Sequence, residues 1–229
     1  MDFAFLADTM MKLLAGVPMT VELTVISVAA GAVLAVILAL LRASFAPAAW
    51  CVRAYVYVMR GSPLLVQIFL IYYGLGQFET VRDSIFWPFL RQPFWCAILA
   101  LALNTAAYGA EIIRGGLQSV PAGAVEAARV AGMSTVTLYR RIVLPIALRQ
   151  ALPAYGNELV IMVKSTSLAS IVTLMEVSGI AYAIISETYR ALEVFLCAGA
   201  IYLTIIFILT RGILLLEYVL NPHLRGARA

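Results

Sequence analysis

The sequence has few charged residues and almost none of the side chains that bind metals. Only 12% of its 229 residues are charged, whereas about a quarter of a typical soluble domain is charged. There is one histidine, His223, and the three cysteines are scattered, so neither an imidazole metal centre nor a disulfide framework is expected. We therefore predict no metal, no cofactor and no catalytic residues.

The sequence also lacks a nucleotide-binding loop. A P-loop has the pattern G-x-x-x-x-G-K-[ST], in which the lysine contacts the phosphates. The only lysines are Lys12 and Lys164, and neither follows a glycine. Any ATP that this protein uses must therefore be bound by another chain.

Apolar residues, by contrast, are abundant and occur in long runs. They make up 63% of the chain, and the mean hydropathy is +0.97. A membrane-spanning helix needs roughly 20 apolar residues. The runs predict an all-α integral membrane protein with five transmembrane helices in a single domain, residues 1–229. The five predicted spans are Val17–Leu41, Tyr55–Phe78, Phe94–Ile113, Ala154–Val177 and Val194–Leu216.

The N-terminal residues do not form a typical cleavable signal. Asp2, Asp8 and Lys12 occur there without a basic segment followed by a cleavage site, so we expect the first apolar run to be retained as a span.

Basic residues next to the spans predict the orientation, because cytoplasmic loops carry more Lys and Arg. One set of loops has nine basic residues and the other has four, which predicts a periplasmic N-terminus and a cytoplasmic C-terminus. This bias accounts for most of the +4 net charge, so no nucleic-acid partner is expected. The first set is Arg42, Arg53, Arg114, Arg129, Arg140, Arg141, Arg149, Arg225 and Arg228, and the second is Lys12, Arg82, Arg91 and Arg190.

The loop at residues 119–145 has the local signals of two short helices. Pro121 favours the start of the first, and Gly132 can adopt a positive φ that ends it. Ser134 can cap a second helix through Arg141, and Pro145 is expected to end it. The charge bias places this loop in the cytoplasm.

This loop resembles the EAA loop of permease subunits of bacterial binding-protein-dependent ABC importers. The pattern is Glu126-Ala127-Ala128, three residues, Gly132, nine residues, Ile142, one residue and Leu144-Pro145. The resemblance implies a type I ABC importer permease fold and an ATPase that receives the first short helix in a cleft. The ATPase-coupling residues it implies are Glu126, Ala127, Ala128 and Gly132.

The loop sequence is compatible with two other interpretations. Its Gly–Ser turn followed by T-L-Y-R-R-I also resembles a DNA-binding helix-turn-helix. A loop tethered between two membrane spans could not enter a major groove, so we reject that interpretation. The third interpretation is an ordinary amphipathic cytoplasmic loop.

Three further segments resemble signatures of polar amino-acid permeases, namely Arg60–Gln67, Leu103–Tyr108 and Lys164–Leu168. Within that family, the sequence is most similar to the arginine-type subunit, with histidine, lysine/ornithine and opine permeases as close relatives. The resemblance implies an ATP-driven importer of a polar, basic, arginine-like amino acid in the bacterial inner membrane. It implies two ATP-binding subunits, a periplasmic amino-acid-binding protein and a second permease subunit, identical or different.

Polar residues within spans are candidates for the substrate path, because they are costly in lipid. A carboxylate could receive the ammonium or a cationic side chain of an amino acid, and Lys164 or a hydroxyl could receive its carboxylate. The alternative is structural, with Lys164 paired to a nearby glutamate and hydroxyl groups bonded between helices. The predicted path residues are Glu158, Lys164, Ser165, Asn104 and Glu22.

Two other classes of membrane protein were compared with the importer. A secondary transporter of amino acids is the alternative, but it would usually be larger and have inverted repeats. A membrane enzyme would need a histidine, cysteine or paired-carboxylate constellation that the sequence lacks.

Overall fold

The computed structural model describes residues 2–220, which form helices joined by short turns, with no strand among them. The predicted all-α fold is therefore confirmed. His223, Arg225 and Arg228 lie outside the described residues.

The chain begins with two helices that are almost continuous. Helix α1 is Phe3–Leu14 and helix α2 is Val17–Ser44, which contains the first predicted span. The sequence analysis predicts no helix at α1. Asp2 caps α1, because its carboxylate accepts hydrogen bonds from the backbone N–H groups of Ala4 and Phe5.

The second predicted span lies across a sharp bend. Helix α3 is Ala46–Gly61, and α4 is Leu64–Phe69, which continues as a π-helical turn and a 3₁₀ turn to Gln77. The two halves meet at 106°. Pro63 explains the break, because proline has no N–H to donate and forces the preceding residue into an extended conformation.

A central helix follows two short helices. Helix α5 is Glu79–Arg82, α6 is Trp87–Leu90 and α7 is Pro93–Gln118. Helix α7 runs beside α2 at close range: a Cβ added at Gly31 would lie 2.1 Å from Cγ2 of Thr105. Small residues thus allow α7 to pack in the centre of the bundle.

The predicted two-helix loop is present, but its second half differs from the prediction. Helix α8 is Ala122–Val130 and α9 is Thr135–Leu138. A π-helical turn, Tyr139–Val143, then leads directly into α10, Leu144–Ser165. The prediction that Pro145 ends the helix is wrong. Pro145 lies in the first turn of α10, just after the widened π turn, where its missing N–H and its ring are tolerated.

The fourth predicted span also lies across a bend. Helix α10 continues as a 3₁₀ segment, Thr166–Val172, and ends at Thr173, whose φ is 67°. Helix α11, Val177–Thr188, then starts at an angle of 48°. The sequence analysis predicts no helix there.

The last helix, α12, is Ala191–Leu220 and contains the fifth predicted span. Among residues 2–220, three helices are long and apolar enough to cross a membrane, and the number rises to five if each bent pair is one span. The boundaries of the five spans remain predictions.

Candidate functional site

The loop between α7 and α10 folds as a small unit with its own apolar contacts. Ala128 on α8 is buried and packs with Leu138 and Val143. Gly132 turns the chain with a φ of +75°, a conformation that favours glycine. The hydroxyl of Ser134 then accepts the N–H of Thr137 at 3.3 Å and caps α9. Helix α8 is thereby held at a fixed angle to the start of α10.

The predicted coupling residues divide into two groups. Ala128 is buried within the loop, whereas Glu126, Ala127 and Gly132 are exposed. Ala128 therefore supports the shape of the loop, and the other three residues can reach a partner.

Two exposed apolar residues lie beside Glu126, Ala127 and Gly132 on the loop, and the sequence analysis missed them. Val130 is 90% exposed and Val136 is 77% exposed, on either side of the Gly132 turn. Arg129, Arg140 and Arg141 are also exposed. An exposed β-branched residue in a short polar loop is the signal that could have identified Val130 and Val136.

The loop is attached closely to the bundle. A Cβ at Gly116, near the end of α7, would lie 2.7 Å from the carbonyl oxygen of Ala147 in α10. This close packing joins the two helices on which the loop is mounted. Movement of the loop would therefore be transmitted to α7 and α10.

Glu158, on α10, is buried against α7, and residues 2–220 donate a hydrogen bond to only one of its carboxylate oxygens. Its side chain is 5% exposed. Thr105 Oγ1 donates to Oε1 at 2.7 Å, and the hydrogen bonds of residues 2–220 leave Oε2 without a donor. Oε2 therefore keeps acceptor capacity that the described residues do not use. The guanidinium of Arg60, on α3, lies 5.0 Å from the centre of the Tyr108 ring.

Asn104, next to Thr105, has a structural contact at the bend of the second span. Its amide donates to the carbonyl oxygen of Met59 at 3.2 Å and to Oε1 of Gln67 at 3.0 Å. Gln67 in turn donates to Met59 and to the backbone and hydroxyl of Ser62. Asn104 thus helps to satisfy the carbonyl groups that the break at Pro63 leaves free.

The other predicted path residues lie elsewhere. Lys164 is exposed and lines a groove of about 340 Å³ with Ser167 and Tyr202. It forms no ion pair within the described chain, so the alternative pairing of Lys164 with a glutamate is not present there. Ser165 is half-buried and Glu22 is exposed. The structure therefore places Asn104 on α7 next to Thr105, the residue that donates to Glu158 of α10, whereas Lys164 and Glu22 lie elsewhere.

A second buried glutamate, Glu176, was not predicted as a site residue. It is fully buried and caps α11, accepting the N–H groups of Ser178 at 3.0 Å and Gly179 at 2.9 Å. The hydroxyl of Tyr202 donates to it at 2.6 Å, and Thr20 approaches at 3.5 Å. Donors from α2, α11 and α12 thus occupy both of its oxygens.

A basic groove lies beside the end of α2. Glu111 forms ion pairs with Arg42 and with Arg114, the latter at 2.6 Å. Arg42, Arg53 and Arg60 line a groove of about 490 Å³, of which Glu111 is the one acidic lining residue among residues 2–220.

The long apolar helices of the bundle fit a multi-pass membrane protein. Residues 11–222 match the family described as the binding-protein-dependent transport system inner membrane component, and the chain belongs to this family.

Several relatives resemble nearly the whole chain. The octopine transport system permease protein OccM of Rhizobium meliloti is 58% identical over 231 residues, which cover 99% of this chain and 93% of that protein. The nopaline permease NocM of Agrobacterium fabrum is 55% identical, with 99% and 95% covered. The arginine ABC transporter permease ArtM of Escherichia coli K12 is 43% identical over 169 residues, with 73% and 75% covered.

Solved structures have the same fold. The crystal structure of an amino acid ABC transporter with histidines is similar with a TM-score of 0.84 and 35% identity, covering 95% of this chain and 98% of that one. The MetNI methionine transporter has a TM-score of 0.75 at 20% identity, covering 93% of this chain and 98% of that one, and indicates the fold alone.

These findings confirm the predicted family and the permease fold. The chain is a permease subunit of an amino-acid ABC importer and a multi-pass inner-membrane protein. In such importers ATP is hydrolysed by a separate subunit, so the chain functions with ATPase and permease partners.

Proposed function

We propose that this subunit moves arginine, or an arginine-derived opine, into the cell, powered by ATP hydrolysis in the separate ATPase. Octopine and nopaline permeases match 99% of the chain, and an arginine permease matches 73% of it. Both kinds of cargo carry a guanidinium group. A path that accepts them needs an acceptor for a cation.

Glu158 is the observation that carries this proposal. It is a buried carboxylate, and one of its oxygens has no hydrogen-bond donor among residues 2–220. Coulomb attraction to a cation grows as the local dielectric falls, so the guanidinium or ammonium of the cargo would bind here strongly. Asn104 shapes the neighbouring wall. Lys164, Ser165 and Glu22 lie on surfaces that the path or a second permease subunit would cover.

The cargo is tested by transport with the reconstituted complex, which contains both permease subunits, the ATPase and the periplasmic binding protein. Arginine, octopine and a neutral amino acid are supplied in turn, with and without ATP. We expect ATP-dependent uptake of arginine or octopine and little uptake of the neutral amino acid. Uptake driven by an ion gradient without ATP would instead indicate a secondary transporter.

The α8–α9 loop is proposed as the part that docks on the ATPase, one loop on each of two ATP-binding subunits. Its exposed surface combines Glu126, Val130 and Val136 around the Gly132 turn. A short helix with small and apolar side chains suits a helix-in-groove contact. The second permease subunit would supply the second loop, whether it is another copy of this chain or a different one.

This docking is tested by Gly132→Val with Gly212→Val, on α12 and outside the loop, as the matched control. Both glycines are exposed with open space around them, but only Gly132 has a positive φ. A valine at Gly132 would strain or unwind the turn, since β-branched residues are outliers at positive φ. We expect ATP hydrolysis stimulated by the loaded binding protein to fall at least several-fold in Gly132→Val and to persist in Gly212→Val. Normal stimulation in Gly132→Val would exclude this role.

The orientation is tested with a reporter enzyme that is active only in the periplasm. Fused after Gln77 or Thr188 it should be active, and fused near Ser134 it should be silent. Activity at Ser134 would show that the topology is the reverse of the one proposed, with the loop in the periplasm, where it could not contact the ATPase.

A further inference from the structure

The basic groove beside α2 has no role in the transport steps proposed above. Arg42 lies in the last turn of α2, and Arg53 and Arg60 lie on α3, so α3 supplies two guanidinium groups seven residues apart. Tyr57, 81% exposed, lines the same groove. Three guanidinium groups thus line a space of about 490 Å³.

The charges in this groove are not balanced within the described chain. Its one acidic lining residue, Glu111, is shared between Arg42 and Arg114. Arg53 is exposed and forms neither an ion pair nor a side-chain hydrogen bond with any residue from 2 to 220. The groove therefore attracts an anion, and Arg53 offers a free fork of N–H donors.

The groove lies beside the features of a membrane–water interface. Phe45, at the junction of α2 and α3, is 61% exposed, and Trp50 in α3 is 66% exposed. Exposed aromatic residues at a helix end are typical of the headgroup level. Leu41 precedes Arg42 and Val58 follows Tyr57 in the sequence, and they are 44% and 57% exposed, so exposed apolar residues neighbour residues of the groove along the chain.

We propose that this groove binds the phosphate of an acidic phospholipid. Guanidinium groups bind phosphate oxygens in a bidentate manner, and basic pockets between transmembrane helices are suited to anionic headgroups. The acyl chains would lie against the apolar surface of Leu41 and Val58. A free phosphate ion would use the arginines but not this apolar surface, which favours a lipid.

The test uses the complete transporter in nanodiscs of phosphatidylcholine and phosphatidylglycerol, with the retained lipids identified by native mass spectrometry. Arg53→Gln removes the unpaired guanidinium and leaves the Glu111 ion pairs intact. Arg53→Lys keeps the charge but loses the fork. Arg91→Gln, an exposed arginine of the outer loop, is the matched control.

We expect the wild type and Arg91→Gln to retain phosphatidylglycerol in preference to phosphatidylcholine. Arg53→Gln should retain several-fold less phosphatidylglycerol, and Arg53→Lys should fall between them. Equal retention of the two lipids by the wild type, or equal loss in Arg53→Gln and Arg91→Gln, would overturn the proposal.

Two competition experiments, one with inorganic phosphate and one with the cargo, test whether the groove prefers a lipid to other ligands. Displacement of phosphatidylglycerol by inorganic phosphate would assign the groove to a free anion, and displacement by the cargo would assign it to the transport path. Either result would overturn the lipid site. Retention of the lipid in both arms supports it, whatever cargo the transporter accepts.

Discussion

The surroundings of Glu158 and Glu176 differ, although both are buried glutamates in the same bundle. Glu176 receives hydrogen bonds from two backbone N–H groups and two hydroxyl groups, on three helices. Glu158 receives one, from Thr105, and keeps an oxygen free of donors within the described chain. Glu176 is fully buried and Glu158 is 5% exposed, and the two carboxylates differ in how many hydrogen bonds they accept.

This difference separates a structural role from a binding role. A buried carboxylate whose oxygens are all occupied joins helices, and removing its acceptors leaves several donors unpaired. A buried carboxylate with a free oxygen is incompletely satisfied, and we propose that a ligand or partner completes the hydrogen bonding of Glu158. Replacement by glutamine tests this, because the amide keeps the shape and turns one acceptor into a donor.

The largest loss of stability is expected for Glu176→Gln. Either orientation of the amide would point N–H groups at donors that now approach the carboxylate. We expect the free energy of unfolding to fall by about 2–3 kcal/mol, as for buried donors left unpaired. Thermal unfolding of the purified complex measures this, with Glu79→Gln, at an exposed position, as the control. An unchanged melting temperature would show that Glu176 does not stabilise the bundle.

A smaller loss is expected for Asn104→Leu. The leucine would leave Oε1 of Gln67 without its donor and weaken the contacts that hold the bend at Pro63. The expected cost is about 1–2 kcal/mol. Asn157→Leu is the matched control, since Asn157 is exposed on α10. If the two variants unfold at the same temperature, Asn104 does not support the bend.

Deleting one of the groups that donate a hydrogen bond to Glu176 gives a further test of its structural role. Tyr202→Phe deletes the hydroxyl that donates at 2.6 Å and leaves the other three donors in place. We expect a loss of about 1 kcal/mol. Tyr182→Phe, at a tyrosine that is 55% exposed, should have no measurable effect in the same unfolding assay. Equal effects would mean that the hydroxyl bond contributes nothing.

The smallest effect on stability is expected for Lys164→Gln. The ammonium has no ion-pair partner in residues 2–220 and its side chain is exposed. A substitution at an exposed position without such contacts changes the free energy of unfolding by about 0.5 kcal/mol or less. Loss of complex assembly at normal subunit stability would instead place Lys164 at the contact with the second permease subunit, which size-exclusion chromatography would detect.

The sequence analysis predicted those features of the site that are determined by residues close together in the sequence. Gly132 and Ser134 follow from backbone conformation and capping, and the structure has both. Pro145 was misjudged because its effect depends on the π turn before it, which the periodicity of the sequence does not reveal. The network at Glu176 joins residues 156 and 26 positions away, which no local pattern identifies.

Helical spacing identifies which residues of α7 share a face, but not what each of them contacts. Asn104, Tyr108 and Glu111 follow one another along α7 at helical spacing, yet each contacts a different element. Asn104 contacts the bend, Tyr108 lies under Arg60, and Glu111 pairs with arginines of α2 and α7. Periodicity gives the face of one helix, whereas the partners depend on how the other helices pack against it.

The most direct test of the account measures membrane abundance and uptake together for Glu158→Gln and Glu176→Gln. We predict that Glu158→Gln reaches normal abundance, while uptake of arginine or octopine per complex falls several-fold more than uptake of a neutral amino acid. For Glu176→Gln, abundance and total uptake should fall together, with the ranking of substrates unchanged. Low abundance of Glu158→Gln, or an unchanged ranking of substrates at normal abundance, would contradict the role given to Glu158.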